Sequence, residues 1–153
     1  MIPILDVLAI LFAALMTGNE LAIAAFVHPG LCRLDDQTHA RAAQELAKRL
    51  GRAMPFWYAA TLILAVVVAV TRPLGSTSQW LAGAASVLFA ESILTTILGL
   101  VPINNRVASW NLSALPEGWR SDRKRWDRMH TVRVVRLALA VSLMVSAIVL
   151  HPA

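Results

Sequence analysis

Residues 101–133, VPINNRVASWNLSALPEGWRSDRKRWDRMHTVR, decide how the rest of the chain is read. The stretch is polar and basic and carries Trp110, Trp119 and Trp126, three of the five tryptophans, yet two of the most apolar runs in the sequence bracket it. A polar segment tied at both ends to a membrane is positioned to build a pocket at the membrane surface.

Working outward, the flanking runs set the class. Of 153 residues 58% are apolar and mean hydropathy is +0.63, against about 45–50% apolar residues in soluble domains. The apolar residues fall into blocks near the ~20 residues that cross a bilayer as a helix. Spans are expected at about 4–28, 56–71, 80–101 and 131–150, joined by long loops 29–55 and 102–130, in one membrane domain covering 1–153. No basic residue precedes the first run, which outlasts a signal-peptide core, so it is read as an uncleaved helix. Asp35 and Asp36 offer N-caps for a short amphipathic helix over 37–52 with Ala43, Leu46, Ala47 and Leu50 on one face, expected to lie at the interface. An all-α, integral membrane four-helix bundle is the simplest architecture.

Charge fixes an expected orientation. The net charge is +5, but almost all Lys and Arg sit in the two long loops, which fits membrane topology and argues against nucleic acid as a partner. Both long loops are then cytoplasmic and both termini outside, with a bacterial inner membrane the expected location. The run Arg123-Lys124-Arg125 reads as a lipid-headgroup contact. Cys32 is the sole cysteine, so no internal disulfide forms. Gly83, Ala84 and Ala85 on the third span leave room for a homo-oligomer.

Ionisable groups inside a span cost about 2.5–3.5 kcal/mol at its centre, which predicts that Glu20 and Glu91 face the bundle interior. His28 and His130 stand at the mouths of the first and fourth spans. Trp126, His130 and Arg133, spaced four and three apart, share one helical face as an aromatic plate, an imidazole and a guanidinium. His130, Glu20 and Glu91 are therefore the catalytic candidates, with Arg133, Asn104, Trp126 and Trp110 as substrate contacts. Two carboxylates and two histidines are also a donor set for a transition metal, iron or copper first. No His-x-x-His or Glu-x-x-His pairing fixes a geometry, so His28, His130, Glu20 and Glu91 are metal candidates by residue type alone.

With HPGLCRLDD at 28–36, the 101–133 stretch resembles the anthrone oxygenase-like family of small four-span membrane proteins, most specifically at Pro102-Ile103-Asn104 with Arg106, at Trp119-Arg120, and at Trp126 with His130 and Arg133. The resemblance implies O2-dependent oxidation of an anthrone- or hydroquinone-like aromatic without an organic cofactor. It pictures a base and an oxyanion stabiliser beside stacking tryptophans, in a pocket floored by Glu20 and Glu91. A small proton-coupled transporter using the two carboxylates, or a structural membrane subunit, remains the alternative. The crowding of aromatic and basic groups at one mouth favours the enzyme.

Overall fold

The computed structural model describes residues 2–149, and among them there is no strand. Helix α1 (Ile2–Ala22) widens into a π-helical turn, π1 (Ile23–Val27), and continues as the short α2 (His28–Leu31). Helix α3 spans Asp36–Thr71; α4 (Thr77–Thr95) passes through a second π turn, π2 (Thr96–Leu100), into α5 (Val101–Ala108); α6 runs Trp119–Val149. The expected end of the fourth span at Leu150, and the His151-Pro152-Ala153 tail, lie outside the described residues. Helices α1 and α4 each pack against both α3 and α6, which makes a four-helix bundle with short connections at one end. Four helical stretches, Ile4–Leu31, Asp36–Thr71, Thr77–Ala108 and Trp119–Val149, are long and apolar enough to cross a membrane. Their outward faces carry exposed aliphatic residues such as Leu15, Val70, Leu98 and Leu139. The chain is an integral membrane protein.

Local chemistry explains where the helices start and widen. Asp35 caps α3 by accepting from the N–H groups of Gln37 (3.1 Å) and Thr38 (3.0 Å); hydrogen bonds from Thr38, side chain and backbone, hold its carboxyl below the ordinary range. Ser76 caps α4 through the N–H of Gln79, whose own amide oxygen accepts from Gly75, the glycine taking φ 75° in the link. Each π turn ends two residues before a proline, and each is closed by an N–H reaching back five residues, His28 to Ile23 and Val101 to Thr96. A proline ring inside a helix collides with the carbonyl four residues earlier, here Ala25 for Pro29 and Leu98 for Pro102, and a widened turn moves that carbonyl aside.

The amphipathic stretch after Asp36 is not a separate interfacial helix. It runs straight through Pro55 into the second span as one 36-residue helix. The inward residues explain this: Ala43, Ala47, Leu50, Met54, Tyr58, Thr61, Ala65 and Val68 follow one another at steps of three and four, a single stripe that a break at proline would put out of phase. Packing along that stripe offsets the one hydrogen bond Pro55 cannot make to the Gly51 carbonyl.

Two apolar cores result. The membrane core is built from small residues, with Ala9, Ala13, Ala65, Ala85, Ala140 and Ala147 letting the helices approach around Met16, Phe89, Leu137 and Met144. The second core gathers Ala40, Ala43, Leu100, Ile103, Val107, Trp110, Trp119 and Trp126, and closes the central segment against the first half of α3. Gln44 fastens it: its buried amide lies 3.3, 3.1 and 3.1 Å from the carbonyls of Val107, Ala108 and Trp110 at the end of α5. Gln44→Leu should leave those carbonyls without their donor and lower the stability of the folded chain by about 1–3 kcal/mol, read as a drop in the thermal unfolding midpoint in detergent. Arg106 completes the closure with a two-pronged pair to Asp122 of 2.9 and 2.6 Å, a structural tie rather than a pocket contact.

Candidate functional site

Between the two cores lies a polar cluster drawn from four helical elements. Glu20 hangs from α1, Tyr58 from α3, Thr96 opens π2, and His130 and Arg133 lie one turn apart on α6. Glu20 is 2% exposed and His130 1% exposed, which by itself demands partners. The Tyr58 hydroxyl donates to one carboxylate oxygen of Glu20 at 3.1 Å, and the Arg133 guanidinium donates to the other at 2.6 Å. Arg133 also donates to the Thr96 hydroxyl at 2.9 Å and lies 2.8 Å from His130 Nδ1. His130 Nε2 is 3.1 Å from the main-chain carbonyl of Glu20. A carbonyl only accepts and a guanidinium only donates, so these contacts assign the imidazole proton to Nε2 and leave the Nδ1 lone pair facing Arg133.

A second layer backs this cluster. His28 and His130 stack on Trp126 with ring centroids at 4.6 and 4.5 Å, while their own centroids are 5.8 Å apart. Those three distances form a triangle, so both imidazoles lie on one side of the indole. Arg123 sits 4.9 Å from the Trp126 ring, a cation–π arrangement, and 3.0 Å from His28 Nδ1. Asp127 reaches the same nitrogen at 2.6 Å.

The cluster forms the inner wall of a cavity of about 290 Å³, close to the lower end of the roughly 300–1,000 Å³ typical of small-molecule sites. Its remaining walls are apolar, from Ala43 to Ala59 along α3 and from Ile93 to Val101 along α4, π2 and the start of α5, with Asn104 one turn further on. A smaller cavity of about 210 Å³ lies on the other side of His28 and His130, lined also by Cys32 and Asp127.

Of the residues singled out from sequence, Glu20, His130, Arg133, Trp126, Asn104 and His28 meet at this cavity. Glu91 does not: it is exposed on the outer face of α4. The inward stripe of that helix is Ala82, Ala85, Ser86, Phe89, Ser92 and Thr96, and helical phase turns Glu91 about 100° away from Ser92. Glu20 therefore floors the cavity without it. Trp110 is also elsewhere, packed edge-on to Trp119 at 5.8 Å in the second core. Arg123 is buried against His28, not spread on headgroups, because it shares the Trp119, Trp126, His130 and Arg133 face; Lys124 and Arg125 are the exposed ones. The four metal candidates are not assembled, since Glu91 is exposed on the outer face of α4 and the Arg133 guanidinium occupies the point where Glu20 and His130 Nδ1 converge, 2.6 and 2.8 Å from them. Among the described residues no group of three His, Cys, Asp or Glu side chains is arranged to hold a metal ion. Tyr58, Thr96 and Asp127 escaped the sequence reading. Tyr58 stands in the aromatic cluster Phe56-Trp57-Tyr58, and the stripe through Pro55 points it inward.

A small helical membrane bundle with a buried carboxylate, guanidinium and imidazole at the end of an apolar cavity is the class of protein these features define. Residues 33–143 match the anthrone oxygenase family, and the chain belongs to that family. Tyr58, Trp126, His130 and Arg133 lie inside the matched stretch, whereas Glu20 and His28 precede it. No curated protein and no solved structure matches the chain.

Proposed function

We propose that the chain is a membrane-embedded oxygenase that oxidises a flat, hydrophobic aromatic substrate of the anthrone or hydroquinone kind with O2. The observation that carries this reading is the pairing of an apolar cavity with one polar wall, on which a lone pair of His130 and the donors of Arg133 stand side by side. A pocket of that kind holds a fused-ring ketone by its faces and addresses one edge of it chemically.

For an anthrone the reaction balances without an organic cofactor: a CH2 group and O2 give a ketone and water. A base removes one C–H proton, and the electron pair delocalises onto the substrate carbonyl oxygen. The carbanion reduces O2, a C–O bond forms, and the peroxide takes up the proton. Loss of the second C–H proton with cleavage of the O–O bond then gives the new carbonyl and releases hydroxide, which leaves as water. Arg133 is the oxyanion donor in this scheme. When the substrate oxygen takes its Nη2 donor, Nδ1 of His130 is released to act as the base. Glu20 accepts from Arg133 and Tyr58 and holds the guanidinium in place. The excess of basic residues in both long loops supports a cytoplasmic position for this end of the bundle.

Purified protein in nanodiscs should consume one O2 per anthrone oxidised, and with ¹⁸O2 one labelled atom should appear in the new carbonyl. The rate should survive chelator treatment. Absence of O2 uptake across anthrones and hydroquinones, or, with an anthrone, label found only in water, rejects the reading.

A further inference from the structure

The residues around the main cavity divide sharply by exposure. Those contributed by α1, π1, α2 and α6, namely Glu20, Ile23, His28, Arg123, Trp126, His130 and Arg133, are all buried. Every exposed lining residue comes from the opposite side: Gly51, Pro55 and Ala59 on α3, and Ile97 and Val101 on π2 and α5. The cavity is thus closed where the reactive groups sit and open between two particular helices.

The opening has a built character. Gly51, Pro55 and Ala59 are spaced four apart, so one edge of α3 presents a row of small, exposed residues along the gap. A Cβ added at Gly51 would meet nothing within 4 Å. Across the gap, Ile97 is 56% and Val101 38% exposed, and Leu94 and Leu98 beside them are exposed too. One facing element departs from regular α-helix at this level, at π2 ahead of Pro102, while α3 stays helical through Pro55. Ala59 starts the aliphatic run of a helix long and apolar enough to cross a membrane, which puts the Ala59 end of the gap at the level of acyl chains.

We propose that the cavity is loaded sideways from the bilayer: a flat, lipid-dissolved aromatic molecule enters between the Gly51, Pro55 and Ala59 row and the Ile97 and Val101 edge, and travels inward to Arg133 and His130. The nature of the cargo rests on the oxygenase reading, whereas the route rests on the exposure pattern alone. Lateral entry matches a substrate that partitions into lipid and whose polar edge must arrive last, at the buried wall.

The test needs no turnover. In a Cys32→Ser background, Ile93→Cys places a thiol on the half-buried cavity wall, to be labelled in proteoliposomes with pyrenyl maleimide, which is flat and lipid-soluble, or with a sulfonated maleimide confined to water. Pyrenyl maleimide should label the thiol and the sulfonated reagent should not. Adding Ala59→Trp or Gly51→Leu should slow labelling about tenfold by obstructing access, while Leu98→Trp, on the same lipid-facing side but outside the cavity wall, should leave it unchanged. Thermal unfolding verifies each variant, and Gly51→Leu decides if Ala59→Trp does not fold. Labelling by the aqueous reagent at a comparable rate, or rates indifferent to both obstructing substitutions, overturns the route. Gated labelling in a protein inert to anthrones would instead reject the oxygenase reading and keep the route.

Discussion

Arg133→Met is expected to destabilise the bundle by about 3–5 kcal/mol and to abolish O2 uptake, because it strands a buried carboxylate. Glu20 is 2% exposed and its strongest partner is the Arg133 guanidinium at 2.6 Å. With Arg133 gone, the Tyr58 hydroxyl at 3.1 Å and the His130 imidazole, whose Nδ1 is 3.3 Å away, are the side chains left beside it. Methionine fills much of the arginine stem's volume, so the loss reports the charge and not a cavity. The companion variant Glu20→Gln with Arg133→Met removes both charges, and it should recover most of the stability while remaining inactive. A bundle that is restored but inactive separates the structural part of the pair from its catalytic part, because an oxyanion donor is needed for turnover and not for folding. If the single variant costs less than about 1 kcal/mol, as an exposed ion pair would, the guanidinium does not tie α1 to α6. Thermal or denaturant unfolding in detergent gives the stability, and an O2 electrode gives the activity.

The same pair shows where sequence reading succeeds and where it stops. Apolar blocks, basic loops and the Trp126, His130 and Arg133 spacing are one-dimensional signals, and each reports something a single helix decides for itself. That is why the four spans and the α6 face were legible. A carboxylate in a span was read through cost alone, which predicts burial for Glu20 and Glu91 alike. Only one of them sits on the stripe its helix turns inward, and Ala82, Ala85, Phe89, Ser92 and Thr96 already mark that stripe without Glu91. Phase along the helix should have outweighed the general expense of charge. Pro55 falls between the helix expected over 37–52 and the span expected at 56–71, yet one stripe packs on both sides of it and the helix runs through. Tyr58 and Asp127 needed the third dimension, since their partners Glu20 and His28 lie 38 and 99 positions away in sequence.

His130→Gln is the sharpest probe of the chemistry itself, with an expected loss of about 10²–10⁴-fold in kcat and little change in fold. The glutamine amide is long enough to donate to the Glu20 carbonyl as Nε2 does now at 3.1 Å, so the carbonyl keeps its partner and the α1–α6 contact survives. What glutamine lacks is a basic nitrogen beside Arg133. His130 Nδ1 is 2.8 Å from the guanidinium and 3.3 Å from the Glu20 carboxylate, so the base, its charge partner and the oxyanion donor share one contact point. Substrate binding can free the base only by taking over that donor. The scheme therefore ties proton abstraction to correct seating of the substrate carbonyl, and a nonspecific aromatic lacking that oxygen should bind without reacting. His130→Ala offers the converse reading: it opens a space in the buried wall, and added imidazole should restore part of the rate in a saturable way. A rate within tenfold of the parent in His130→Gln, with unchanged dependence on pH, would move the base to Glu20 and leave the histidine as the group that orients it.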